Sequence, residues 1–461
     1  MLKISSIIKN KKVIFIIIIL LCIAFAGLWT VVSEGYDRQN KTILFLKKFI
    51  PTKVSRKVRD IIFIIPDLKE RNKFLSTQVQ KYEQNLNGEL FNEEVVLSEV
   101  NKKKYLLKEF FLPFPRLDTR LGWAATTNSL RAHHFAIIGD EVVVISGEGK
   151  TIYFKKNNIL NDKLNQIEIS NNIQDILDQN NFKLIGIRDL FVEEEKIYIS
   201  LIFKNFKGLS INAYRADLNF EKLNFELFFE SNEYWDRYNV YSGGRFSTYK
   251  DNKVLFTIGY SGVNRTAQQL DSLLGKIISI DKLTGEYKII SMGHRNPQGL
   301  YYVKDSNIII NTEHGPKGGD EININFLEDD KIPNFGWDIS SYGTNYDGTD
   351  PYKKSHAEYG FVEPFKYYTP SIGISQMVYM PNNLKFENGK YLFVSSLRAG
   401  SIYIIKVNDK FDKILDEDRI YFLGQRIRDI EYDKENNVFF LLFESTPSIG
   451  VLKLKREQAR L

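Results

Sequence analysis

The chain predicts an all-β protein whose body, residues 106–461, is a six-bladed β-propeller, preceded by an N-terminal transmembrane helix and a short helical stalk. Three observations predict it. Pairs of apolar strands recur about every fifty residues through the body of the sequence. Near the start, a lysine-rich tip precedes a long uncharged stretch. Between the two, a segment broken by prolines lacks the strand pattern.

Residues 1–33 are read as a cytoplasmic tip and an anchor. Lys3, Lys9, Lys11 and Lys12 precede Val13–Val32, a run of 20 residues without a charge. That length crosses a hydrocarbon layer of about 30 Å as a helix. The lysines keep the N-terminus in the cytoplasm and send the rest to the periplasmic or extracellular side. Ala24-Phe25-Ala26 has the small-x-small form of a cleavage site, so a removed signal peptide is the competing reading. The apolar run continues through Leu28, Trp29, Val31 and Val32, which favours a retained membrane anchor.

Residues 34–105 are read as a membrane-proximal stalk of short helices. Ile43–Ile50 and Ile61–Ile65 are largely apolar, Asp67–Gln84 has helical composition, and Pro51 and Pro66 break the segment.

From 106 onward six segments share one form: a polar opening, an apolar run, an Asp or Asn turn, then a second apolar run. Their second runs begin near Val142, Ile197, Val254, Ile308, Tyr391 and Val438, at intervals of 55, 57, 54, 83 and 47 residues. A period of that size built from β-hairpins marks propeller blades. The long fourth interval predicts an insertion, roughly Leu327–Thr369, between blades four and five. Its aromatic and Gly-rich composition predicts an ordered cap.

Composition narrows the function. A hydrophobic content of 43% supports a large core, and a net charge of +6 spread without basic runs argues against nucleic-acid binding. Cys22, the one cysteine, lies in the apolar N-terminal segment, so a Cys–His zinc site is excluded from the body.

In a propeller the innermost strands open at one rim of a central channel, so the repeat openings should converge there. They contribute Arg131, His133, His134, Arg188, Arg245, Arg295, Asn296, Gln298, Arg426 and Arg428, and Arg398 follows the inner strand of blade five. Guanidinium groups crowded on one funnel repel unless an anion sits among them, so the inferred ligand is a small polyanion. The alternative is structural: Arg188-Asp189 and Arg428-Asp429 would lock neighbouring blades together.

Seven ordered motifs carry a resemblance to a known family. They are His294–Leu300, Glu313–Pro316, Gly319–Asn323, Asn334–Trp337, Pro370–Ile372, Ser396–Gly400 and Gly424–Ile430. In order and spacing they resemble the soluble glucose/aldose sugar (glucose/sorbosone) dehydrogenases that use pyrroloquinoline quinone (PQQ). The resemblance is strong from about 274 to 444 and faint from 106 to 257. It implies that Arg295, Asn296, Arg426 and Arg428 hold the quinone's carboxylates, with Arg398 where the family has Lys. It also implies that calcium bridges cofactor and protein through the main-chain carbonyls of Gly315 and Pro316. A sugar substrate and a respiratory electron acceptor follow from the same likeness.

Two positions depart from the family pattern. The family's catalytic His falls on Tyr241, four residues before Arg245, and a cofactor-contacting Gln falls on Leu184. A phenol titrates near 10 and is a poor base at neutral pH. His133 or His134 is therefore expected to supply the base from the neighbouring rim, with Tyr241 assisting; the competing reading leaves both as rim residues without a role. The alternative is a non-catalytic propeller of this family that binds an anionic ligand or a protein partner. A hydrolytic propeller is the third reading, and it would need carboxylates and Asn converging on an axial metal.

Overall fold

The computed structural model describes residues 91–114, 132–236, 241–260, 262, 265–328, 331–381, 389–422 and 425–454. The expected anchor, and the expected stalk up to residue 90, lie outside the described residues. Among the described residues no helix is long and apolar enough to cross a membrane.

The strands form six sheets, each of four or five strands. The innermost strands are His133–Ile138, Lys183–Glu193, Gly243–Thr248, Pro297–Val303, Ile374–Met380 and Ile427–Asp433. Each packs on the next, and the last packs on the first, so the ring closes. The alternating runs of Val, Ile and Phe explain the packing. Both faces of every second strand are covered by a neighbouring blade, as at Val142–Ile145, Val254–Ile258 and Ile308–Ile310, all fully buried.

Closure differs from the expected boundaries. Residues 91–105 fall in the expected helical stalk, but Phe91–Leu97 and Lys104–Phe111 are strands. They pair with each other, and Lys104–Phe111 pairs in turn with Ser448–Leu454, from Tyr105 opposite Leu454 to Phe111 opposite Ser448. The propeller thus begins at 91, and its sixth blade joins both parts of the chain. Tyr105 and Leu107 pack in a cluster with Phe393, Ile402 and Phe443, whereas Phe110 packs with Phe135 and Phe440. The connecting turn is tied down as well: the Val100 N–H donates to Asp418 at 2.9 Å and Arg419 pairs with Glu99 at 2.5 Å. A stabilising partner more than three hundred residues away leaves no trace in a local hydrophobic pattern.

The insertion also sits elsewhere than expected. Lys366–Tyr368 is the outermost strand of sheet four, pairing Asp320 with Tyr368. The insertion therefore lies inside blade four, between its third and fourth strands, and not between blades four and five. A three-residue strand is too short to read from alternation. The inserted chain is ordered against the propeller. Asn334 exchanges hydrogen bonds with Gln268, Phe335 stacks on His294 at 4.8 Å, and Tyr342 stacks on Tyr367 at 3.7 Å.

Candidate functional site

Five inner strands carry a register shift close to their first residues: between Ile187 and Asp189, Gly243 and Phe246, Pro297 and Gly299, Ile374 and Met377, and Ile427 and Asp429. A bulge inserts a residue and re-aims its side chain. The residues so placed include Arg188, Arg245, Gln298 and Arg428, and the shared bulge brings them to the channel. Gly244 meets the same demand in backbone terms. Its φ is +102°, and a Cβ there would lie 2.5 Å from the Arg188 Cβ.

Deepest in the channel, Arg245 is a charge lock. Its Nη1 donates to Asp189 at 2.7 Å and to Asp429 at 3.0 Å, its Nε to the Gln298 carbonyl at 2.8 Å, and its Nη2 to the Arg428 carbonyl at 3.3 Å. Blades two, three, four and six are joined through this one side chain. Burial raises the Asp189 and Asp429 carboxyls, and Arg245 opposes that rise. The blade lock foreseen for Arg188-Asp189 and Arg428-Asp429 therefore exists, but it pairs Asp189 and Asp429 with Arg245 and not with their neighbours in sequence.

His134 completes this group, with Nδ1 3.5 Å from Asp429 and 4.0 Å from Asp189. Burial first, and then Arg245, hold its imidazole well below the usual histidine range. Among the described residues, His134, Asp189 and Asp429 form a group whose ligand atoms could converge on a metal. The guanidinium of Arg245 already occupies the space between the two carboxylates. That arrangement removes support from the hydrolytic reading, which needs a cation there.

Nearer the mouth, Glu444 gathers two cations. Its carboxylate accepts from Arg426 Nε at 3.1 Å and, through a shorter contact, from Arg428 Nε. Arg428 Nη1 also donates to Gln298 Oε1 at 3.0 Å, and Gln298 Nε2 donates to Asn296 Oδ1 at 3.1 Å. Burial alone would raise Glu444, yet Arg428 and Arg426 bring it down to about 2. The sign of the stability effect follows from this depression. The contribution is present in full above the ordinary value near 4.5 and disappears as pH falls toward 2. We expect Glu444→Gln to lose about 3 kcal/mol at pH 7 and to flatten the loss of stability between pH 4.5 and 2.5. Urea midpoints of the two proteins across that range check it, and parallel curves would contradict it.

The expected cofactor residues Arg295, Asn296 and Arg428 are all buried at this funnel, and Arg426 is half-buried beside them. Arg398 is exposed, on the loop after the inner hairpin of blade five. Arg295 is held between two rings, 4.0 Å from the centroid of Tyr241 and 5.2 Å from that of Trp337, with Nη1 donating to the His314 carbonyl at 2.9 Å. Its backbone N–H donates to Glu313 at 2.6 Å, and Glu313 also contacts His294 Nδ1 at 3.0 Å. His294 and His314 thus build the scaffold around Arg295. A small cavity with room for about one water lies behind that guanidinium, lined by Glu313, His314, Gly315, Glu321 and Trp337.

Gly315 and Pro316 are buried in the loop after the second strand of blade four. A Cβ on Gly315 would run into the Gly319 carbonyl, so only glycine closes this turn. The Gly315 N–H donates to Asp320 at 3.0 Å, while Pro316 O accepts from Ser371 at 3.2 Å. Main-chain carbonyls are hard oxygen donors of the kind calcium takes, so the donor chemistry fits. The funnel also fits a polyanion. The Nε of Arg295 and the Nε and Nη2 of Arg188 are buried without a hydrogen-bond partner, which leaves donor capacity for a ligand.

The three expected catalytic residues are not brought together in the way foreseen. Tyr241 reaches the funnel, where its ring lies under Arg295 and its phenol acts on that of Tyr346 in the cap. His134 sits 2% exposed in the axial charge lock, and His133 is fully buried with its ring 4.9 Å from Phe114. Both histidines open the first inner strand but are buried against groups other than Tyr241, so the structure gives no support to either as a rim base. Sequence reasoning missed Glu444, Trp337 and Tyr346 as site residues. Trp337 stood in a quoted motif and was readable. Glu444 and Tyr346 lie in a turn and in the insertion, where no repeat position marked them.

Known proteins resemble this chain in sequence and in fold. The sequence model of the family described as Glucose / Sorbosone dehydrogenase matches residues 133–449. Aldose sugar dehydrogenase YliI of Escherichia coli (strain K12) is 32% identical over 220 residues, covering 44% of this chain and 57% of that protein. The chain thus spans less than two thirds of this relative's length. Among solved structures, the apo form of the soluble aldose sugar dehydrogenase from Escherichia coli superimposes with a TM-score of 0.57 at 21% identity, covering 79% of this chain and 100% of that one. The PQQ-bound aldose sugar dehydrogenase from Streptomyces coelicolor gives 0.51 at 18% identity, covering 71% and 95%. At such identities the superpositions speak for the fold.

Proposed function

The chain belongs to the glucose/sorbosone dehydrogenase family, and from that premise we propose that it binds PQQ and calcium in the cationic funnel and oxidises an aldose or related polyol. One observation carries the reading: Arg188, Arg295, Arg426 and Arg428 crowd a narrow site, and Glu444 is the carboxylate that Arg426 and Arg428 must share. Like charges so placed favour a bound polyanion. Arg295, Asn296, Arg426 and Arg428 would hold its carboxylates, with the exposed Arg398 closing the open side and the Gly315 and Pro316 carbonyls facing the calcium ion. When bound, the quinone supplies a hydride acceptor that calcium polarises.

The chain's own residues then orient the sugar. Tyr241, fixed under Arg295 and close enough to Tyr346 to act on its phenol, offers its phenol oxygen to the hydroxyl being oxidised. Tyr346 is 52% exposed and leads the released proton toward solvent. The apolar N-terminal segment, as a membrane anchor, would keep the propeller on the periplasmic or extracellular face, where electrons pass to a respiratory acceptor.

The test is the full-length chain in detergent, loaded with PQQ and calcium chloride and offered a panel of aldoses with a dye acceptor. Sugar-dependent dye reduction supports the proposal. PQQ binding with no reduction on any sugar favours the non-catalytic alternative, for which the observation is Tyr241 in place of a histidine. If turnover is present, Tyr241→Phe should lower kcat by about 10²-fold while leaving PQQ affinity within a few-fold. An unchanged kcat removes Tyr241 from proton handling.

A further inference from the structure

Arg188 is the residue of the funnel that this function does not yet use. It occupies, on the second inner strand, the same bulged position that Arg428 occupies on the sixth. Arg428 is satisfied there by Glu444 and Gln298. Arg188 has the root of its side chain against Gly244, while its Nε and Nη2 are shut off from solvent with no hydrogen-bond partner. Glu444, the carboxylate that acts on it, is already bound by Arg426 and Arg428. We propose that Arg188 is a cofactor-binding residue, donating its free N–H groups to a carboxylate of PQQ beside Arg428; the inference rests on the PQQ reading above.

The physical case is one of cost. Arg188 as a whole is half-buried, but its Nε and Nη2 N–H groups lose their hydration and gain nothing in return, which is destabilising unless something arrives to pair with them. Burial, aided by the charge of Arg428, pulls Arg188 down to about 9, which records the same penalty. Arg245 shows what a structural arginine looks like in this channel, since two carboxylates and two carbonyls meet it. Arg188 has the opposite character and is poised for a ligand with negative charge and planar acceptors.

The test titrates full-length wild type, Arg188→Met and Arg188→Lys with PQQ in the presence of calcium chloride, reading quenching of intrinsic fluorescence, and measures the urea midpoint of each apo protein. Loss of one charge-assisted contact should weaken PQQ binding by about 10- to 100-fold in Arg188→Met, with partial recovery in Arg188→Lys. The apo midpoint of Arg188→Met should equal or exceed that of wild type, because donors cut off from water without an acceptor have been removed. Tight PQQ binding by wild type with unchanged affinity in Arg188→Met overturns the inference and leaves the PQQ reading standing. A lowered apo midpoint together with unchanged affinity makes Arg188 a structural residue and overturns it equally. Failure of wild type itself to bind PQQ overturns both.

Discussion

Replacing Arg245 by Met should cost about 3–5 kcal/mol of stability at pH 7, because it strips two buried carboxylates of their shared counter-charge. Arg245 Nη1 lies 2.7 Å from Asp189 and 3.0 Å from Asp429, so without it those oxygens face each other in a closed space. The variant's response to pH should differ in sign from an ordinary acid transition. Burial already raises both carboxyls, and losing the cation raises them further. A group whose folded pKa lies above its unfolded one stabilises the fold as pH falls through the folded value. Arg245→Met should therefore regain stability between pH 7 and pH 5, where one carboxyl takes up a proton and bonds the other. Urea denaturation at the two pH values checks this. Equal stability of variant and wild type at pH 7 would mean that the axial lock contributes nothing.

A chain that begins at residue 112 should fail to form the propeller, whereas one that begins at 81 should fold. The difference is the pair of strands Phe91–Leu97 and Lys104–Phe111, which complete the sixth blade. Tyr105, Leu107 and Phe110 are at most 2% exposed. Burying three such side chains contributes about 5–9 kcal/mol, comparable to the whole stability of an ordinary domain. Their loss would also open the outer edge of Ser448–Leu454 to pairing with other chains. Size-exclusion elution and near-ultraviolet circular dichroism of the two truncations distinguish the outcomes. A monomeric, cooperatively unfolding product starting at 112 would contradict the closure described here. The same reasoning warns against cutting at 106, which falls within a strand.

Much of the fold was legible because its units are local. The second strand of each hairpin is a short continuous apolar run, so Val142–Ile145 or Ile308–Ile310 announce a buried strand without reference to anything distant. The funnel was legible for a similar reason: repeat openings recur in phase, and Arg295, Asn296, Arg426 and Arg428 fall at them. Arg245 was legible as a member of the ring but not as its lock, because its partners Asp189 and Asp429 come from other blades.

By itself the sequence determined the all-β class, the number of blades, the family motifs and the surplus of arginine at one rim, since periodicity and charge are properties of residues near each other in the chain. Only the tertiary structure decided which strands close the ring, where in blade four the insertion lies, and which guanidinium groups are neutralised. Those outcomes depend on contacts between residues tens to hundreds of positions apart, and on single-residue bulges that turn a side chain from one side of a strand to the other. Burial then sets apart Arg245, which is held by carboxylates, from Arg188, which is left with donors to spare.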